Sequence, residues 1–125
     1  MNDALFCSIH VDSAVSRDEM LSLVSALTGG VIVRRGVDCP WARIAVNADY
    51  GDIEARKADP DDFLGWPTQL EIMPPDDAER SEVVRGVTSL MNALLGHGVR
   101  VLGQCEYAEE LPGRGEVASP ATVSR

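Results

Sequence analysis

Two histidines, three cysteines and a crowd of aspartates are the side chains in this sequence whose chemistry goes beyond packing. His10 stands among alternating apolar residues, on the polar side of that alternation, and His97 is bracketed by Gly96 and Gly98. A general base needs a positioned partner and a pocket, and neither histidine has a sequence neighbour that would orient it. His97, at a helix end, has a structural use, because a protonated imidazole there meets the negative end of the helix dipole. Asp59, Asp61 and Asp62 invite a hard-cation reading, since such ions take several carboxylate oxygens. No D-x-D-x-D-G run is present, no glutamate follows at the twelfth loop position, and Pro60 stiffens the loop. A solvated acidic loop without metal is the expectation. Cys7, Cys39 and Cys105 are an odd number without C-x-x-C spacing, which speaks against a disulfide framework or zinc ribbon. Cys7 and Cys105 fall in predicted strands and read as inert, small apolar residues, whereas Cys39, ahead of Pro40, reads as reachable. Neither a G-x-S-x-G elbow nor a glycine-rich phosphate loop occurs. No catalytic residue and no cofactor is therefore assigned, and the chain is not expected to be an enzyme.

Charge carries more information. The net charge is −9, and between Asp49 and Glu82 eleven acids stand against Arg56, Lys57 and Arg80, so this segment holds −8 of it. Such a surface repels phosphate backbones and anionic headgroups, which excludes nucleic acid and membranes as expected partners. It attracts a basic protein and speeds its arrival. Phe63 and Trp66 interrupt the acidic stretch, and aromatics beside a charged rim are common interface anchors. Trp66 has two readings: it covers the sheet, or it faces a partner. With two Trp and two Phe in the whole chain, the core has a strong claim on it. The candidate partner-binding residues are Asp59, Asp61, Asp62, Phe63, Trp66, Asp76 and Asp77.

The elements that must hold these residues follow from periodicity. Leu5, Cys7, Ile9 and Val11 alternate with Ser8, His10 and Asp12, the pattern of a half-buried strand. Ser16 with Glu19 makes a capping box, Met20, Leu21, Leu23, Val24 and Leu27 form a helical stripe, and Gly29-Gly30 ends it. Strands are expected near 31–35, 42–48, 68–73 and 99–106, with turn chemistry from Gly36 to Pro40 and a long polar loop over 49–62. A second helix over 77–96 has an apolar face from Val83 to Leu95, with Asp76 or Asp77 as its cap. Helices with one apolar face must pack on the sheet. The expected fold is α+β: a two-layer sandwich, a mostly antiparallel sheet with two helices on one face, ferredoxin-like with an added strand.

A chain of 125 residues, 45% apolar and 25% charged, suits one domain over 1–111. The Gly-, Pro- and Ser-rich stretch 112–125 is expected to be a disordered tail. No apolar run approaches the ~20 residues of a membrane span, and the first residues carry no basic region of a signal peptide. A cytoplasmic location is expected.

The stretch Asp61-Asp62-Phe63-Leu64-Gly65-Trp66-Pro67, running into Leu70-Glu71-Ile72, resembles small acidic bacterial proteins of toxin–immunity systems over roughly the middle third of the chain. The resemblance implies an immunity or inhibitor protein whose acidic surface masks a basic partner, and it transfers no catalytic residue. The alternative is a small-molecule-binding regulatory domain that dimerises through its sheet. An enzyme using His10, Asp12 or a loop carboxylate ranks last.

Overall fold

The computed structural model of the chain describes residues 3–48, 53–59 and 62–120. A six-stranded antiparallel sheet runs through it in the order β2-β3-β4-β5-β1-β6. The strands are β1 (Cys7–Val11), β2 (Val31–Val33), β3 (Gly36–Cys39), β4 (Ala42–Asn47), β5 (Thr68–Met73) and β6 (Val101–Gln104). Helix α1 (Arg17–Thr28) follows β1, α2 (Ile53–Ala58) lies between β4 and β5, and α3 (Arg80–Gly96) joins β5 to β6.

Helix α1 begins and ends where its sequence requires. Ser16 Oγ accepts the Glu19 N–H at 3.2 Å while Glu19 Oε1 accepts the Ser16 N–H at 3.4 Å. Two otherwise orphaned donors are thereby satisfied. Gly29 closes the helix at φ 72°, in the left-handed region that favours glycine, with its N–H on Ser25 O. Helix α3 starts at Arg80, later than expected, because Ala78 N–H bonds Pro75 O at 3.1 Å and draws Asp76 and Asp77 into an exposed turn. The helix N-cap is Glu79, without a side-chain cap bond, so neither aspartate caps it.

Both long helices share one core with one face of the sheet. Met20, Leu21 and Val24 of α1 and Val83, Val87, Leu90, Met91, Leu94 and Leu95 of α3 join Cys7, Ile9, Val11, Val37, Ile44, Val46, Leu70 and Ile72. Those strand residues recur at every second position and pair across the ladders, Cys7 with Ile72 and Ile9 with Leu70, so they line one side. Leu23 and Leu27, expected in this core, are partly buried at its rim. The expected strand at 31–35 stops at Val33, and the chain turns at Arg34, φ 58°, into β3. Most of the expected turn, 36–40, is thus itself a strand, Gly36–Cys39, because Val37 carries it into the core with no exposed surface. The 49–62 stretch, expected to be loop, contains α2, whose Glu54, Lys57 and Ala58 suit a helix.

Of the segment after Leu111, expected to be a disordered tail, residues 112–120 are described. Leu111 and Ala118 are buried, and Ala118 exchanges backbone hydrogen bonds with Val101 at 2.9 and 3.0 Å along the outer edge of β6. Ala118, the buried residue of this stretch, thereby covers a sheet edge that would otherwise stand open. Arg80 and Glu110 form an ion pair that ties the start of α3 to the same region. Among the described residues, no helix is long and apolar enough to cross a membrane.

Gly86 marks a close approach. A methyl group there would fall inside the Trp41 indole, which lies against the helix. Alanine ordinarily gains ~1 kcal/mol over glycine inside a helix. Here the overpacking cost of ~1–3 kcal/mol wins, so Gly86→Ala lowers stability. Urea denaturation checks the sign, and a stabilised variant would contradict the packing described.

Candidate functional site

The side of the sheet away from the helices is polar, and strand register assembles it. Ser8 and His10 of β1 stand opposite Glu71 and Gln69 of β5, and opposite Gln104 and Leu102 of β6. Asn47 of β4 stands opposite Gln69. Asn47 Nδ2 donates to Gln69 Oε1 at 2.8 Å and to Glu71 Oε1 at 2.7 Å, and Gln69 Nε2 donates to Ser8 Oγ at 3.0 Å. His10 Nε2 lies 3.0 Å from Gln104 Oε1. The carboxamide oxygen only accepts, so Nε2 carries the proton in this bond. No buried side-chain nitrogen or oxygen among the described residues lacks a partner. A satisfied network of this kind holds its members in fixed positions.

One end of this face is roofed by the loop that enters β5. Asp62 accepts the Leu64 N–H at 3.0 Å and opens a 3-10 turn over Phe63–Gly65. The turn sets the Phe63 ring 4.8 Å from the His10 ring, tilted by 59°. Trp66, 1% exposed, lies under the Arg100 guanidinium, which is 5.1 Å from the indole centroid. Arg100 also donates from Nε and Nη2 to Asp12 Oδ2, at 3.0 and 2.7 Å. Thr68 Oγ1 donates to Ser13 O at 2.8 Å and fixes where β5 begins. The one side chain of the turn turned fully outward is Leu64, 58% exposed.

Burial lowers the His10 pKa from its ordinary 6.5, and the hydrogen bond to Gln104 opposes the shift only in part. The unfolded chain therefore takes up this proton before the folded protein does. The stability tied to neutral His10 is complete above 6.5 and is lost as pH falls from there toward the lowered folded value. In urea denaturation at about pH 7.5 and about pH 5.5, wild type should lose more stability on acidification than His10→Gln does. Equal losses would contradict the burial of a neutral imidazole.

The residues expected to meet a partner fall into three groups. Asp59 is exposed, Asp62 half-buried and Phe63 half-buried on His10, all on the roofing loop; Asp61 lies outside the described residues. Asp76 and Asp77 are exposed but sit beyond the far end of β5, whose six residues span about 17 Å. Among the described residues, Asp59 and Asp62 are thus set apart from Asp76 and Asp77 by the length of β5, with Glu71 on the strand between them. Trp66, which had two readings, is sheet cover and presents no surface to a partner.

Two open clefts, of about 280 and 360 Å³, lie elsewhere. One is at Leu27, Trp41, Arg85 and Gly86, the other at Cys39, Pro40, Arg43 and Met73. Neither is lined by His10, Glu71 or the loop aspartates. Among the described residues, no three His, Cys, Asp or Glu side chains converge as a metal site would require. Asn47, Gln69, Glu71, Arg100 and Gln104 were not singled out from sequence. The alternation of Asn47, Gln69 and Glu71 with apolar residues was visible there, whereas Arg100 and Gln104 share their face with Leu102; what joins all five is strand register. Comparison with protein-family models, curated proteins and solved structures finds no match.

Proposed function

We propose that this chain is a protein-binding module of the immunity or inhibitor type, cytoplasmic and without catalysis of its own, that masks a basic partner. The observation that carries the reading is Leu64, 58% exposed on a turn with Asp62 at its head and Asp59 just ahead. Beneath that turn Phe63 packs on His10, and Trp66 is buried under Arg100. An apolar tip among carboxylates, held by a packed base, loses little side-chain or loop entropy on docking. The acids steer a cationic surface inward, and the tip then resists its departure. Asp76 and Asp77, at the other end of β5, add to the long-range field and are left out of the contact itself. The strand order β4-β5-β1-β6, with one helix after β1 and one after β5, supports a ferredoxin-like reading in which the β2–β3 hairpin is the addition. That fold by itself implies no function.

The proposal separates two kinds of variant. Replacing Asp59, Asp61 and Asp62 together with Asn keeps the acceptor that Asp62 offers to Leu64 N–H, so the melting temperature should scarcely move. Association with a basic partner should slow by about tenfold at low salt, and the difference should shrink as salt is added. Leu64→Ala should leave association unchanged and raise the dissociation rate on the order of tenfold. Wild type immobilised as bait, followed by stopped-flow kinetics with the protein it retains, makes the measurement. A partner that binds the triple variant as fast as wild type at low salt would sink the steering account.

A further inference from the structure

The end of the β1–β6 ladder brings together two cysteines that lie 98 positions apart in sequence, Cys7 and Cys105. The register pairs Val11 with Val101, Ile9 with Gly103 and Ser8 with Gln104. Strand β6 ends there, and continuing the register by one residue, into the bend that follows, brings Cys105 to Cys7, where the two thiols are within hydrogen-bonding reach of one another. The type of pair follows from one bond. Asp12 N–H bonds Arg100 O at 3.0 Å, which makes 12 and 100 a hydrogen-bonded pair. Pairs alternate along an antiparallel ladder, so 11 with 101 and 9 with 103 are the non-hydrogen-bonded kind, and 7 with 105 continues that series one residue past the end of β6. In that kind the Cα atoms stand about 4.5 Å apart and the side chains are closest. A disulfide takes Cα separations of about 4.4–6.8 Å. No disulfide joins them in this structure.

We propose that Cys7 and Cys105 are a redox modification site, oxidised by a hydroperoxide to a cross-strand disulfide, with Cys105 the attacking thiol and Cys7 the resolving one. Exposure separates the roles: Cys7 has no accessible surface, whereas Cys105 is half-buried and reachable from solvent. Acidity separates them in the same sense. The Cys7 thiol beside it, then the Tyr107 backbone N–H, hold Cys105 below the ordinary thiol value against the effect of burial. Cys7 is pushed up by its neighbour Cys105 and by desolvation. The thiolate is the nucleophile, so the exposed, more acidic sulfur reacts first. The Tyr107 hydroxyl, beside both sulfurs, donates to Leu5 O at 2.8 Å and holds the turn after β6 against the start of β1.

The chemistry balances without a further reactant. Cys105 thiolate attacks one peroxide oxygen, the O–O bond breaks, and the alkoxide or hydroxide leaves with the electron pair and takes a proton. The product is Cys105 sulfenic acid. The Cys7 sulfur then attacks the sulfenyl sulfur, the S–O bond breaks, and the departing hydroxide takes the Cys7 proton as water. Two thiols and one hydroperoxide give one disulfide, one alcohol (water when the peroxide is hydrogen peroxide) and one water. A dithiol reductant reverses the result. Cys39, at the end of β3, is separated from β1 by β4 and β5, and burial raises its thiol pKa. It is a built-in control.

The test is hydrogen peroxide treatment of the purified protein, followed by peptide mapping of disulfides and of thiols left open to alkylation. Wild type should lose two thiols per chain, yield a Cys7–Cys105 cross-linked peptide within a single chain, keep Cys39 alkylatable, and recover both thiols in dithiothreitol. Cys7→Ser should lose the disulfide and accumulate sulfenic acid at Cys105, trapped by dimedone. Cys105→Ser should slow oxidation of Cys7 by at least about tenfold. Cys39→Ser should behave as wild type and settles the matter should a serine at buried position 7 prevent folding. Preferential oxidation of Cys39, disulfides only between chains, or dimedone capture at Cys7 would overturn the proposal.

Discussion

Trp66→Ala lowers the unfolding free energy by about 3–5 kcal/mol, the cost of removing a fully buried indole and leaving its space behind. Trp66 is 1% exposed, yet it lies outside the apolar cluster shared by the helices and the sheet, so its loss is local to the open face. Arg100 stacks on the ring and pairs with Asp12, and truncation strips the guanidinium of one of these two supports. The roofing turn keeps its backbone bond, Trp66 N–H to Phe63 O at 3.0 Å, which alanine can still donate, but it loses the buried ring that follows that bond. Trp66→Phe retains most of the apolar area and should lose distinctly less. Urea denaturation followed by circular dichroism makes the comparison. A loss below about 1 kcal/mol for the alanine variant would mean that the loop opens readily and that Trp66 is available to a partner after all.

Leu94→Ala costs about 2–5 kcal/mol, by lost transfer energy and the cavity that remains. Leu94 has no accessible surface and belongs to the α3 face that includes Val87, Leu90 and Met91. Asn92, two residues earlier, is exposed on the opposite side of the helix, and Asn92→Ala should stay within about 0.5 kcal/mol of wild type. Comparable losses for the two variants would place the wrong face of α3 against the sheet.

How far such features can be read in advance depends on whether their signal is local. The bounds of α1 were legible because a capping box and a left-handed glycine are each complete within a few residues. Strand β3 was not: Gly36, Asp38 and Cys39 read as turn chemistry, and one inward valine is too little alternation to announce a strand. The region after Leu111 has the composition of a disordered tail, and the burial of Ala118 depends on the edge of β6 at Val101, which the region's own residues do not announce. The polar face was half-legible. The outward alternation of Ser8 with His10 and of Gln69 with Glu71 stands in the sequence, whereas the bonds that join Asn47, Gln69 and Ser8 exist only once β4, β5 and β1 lie side by side. The pairing of Cys7 with Cys105 was hidden for the same reason, and each cysteine alone reads as a small apolar residue. Charge was legible as a total but not as a shape, because β5 runs through the acidic segment and divides it.

Amide hydrogen exchange of the protein, alone and saturated with the partner it retains, tests the central claim most directly. If the roofing turn and the open face are the working surface, the partner should slow exchange across residues 53–66 and along β1 and β6 near Ser8 and Gln104. The exposed sides of α1 and α3 should exchange at their former rates. Protection confined to the helices, or to the cleft at Trp41 and Arg85, would contradict the account and move the binding surface to the other side of the molecule.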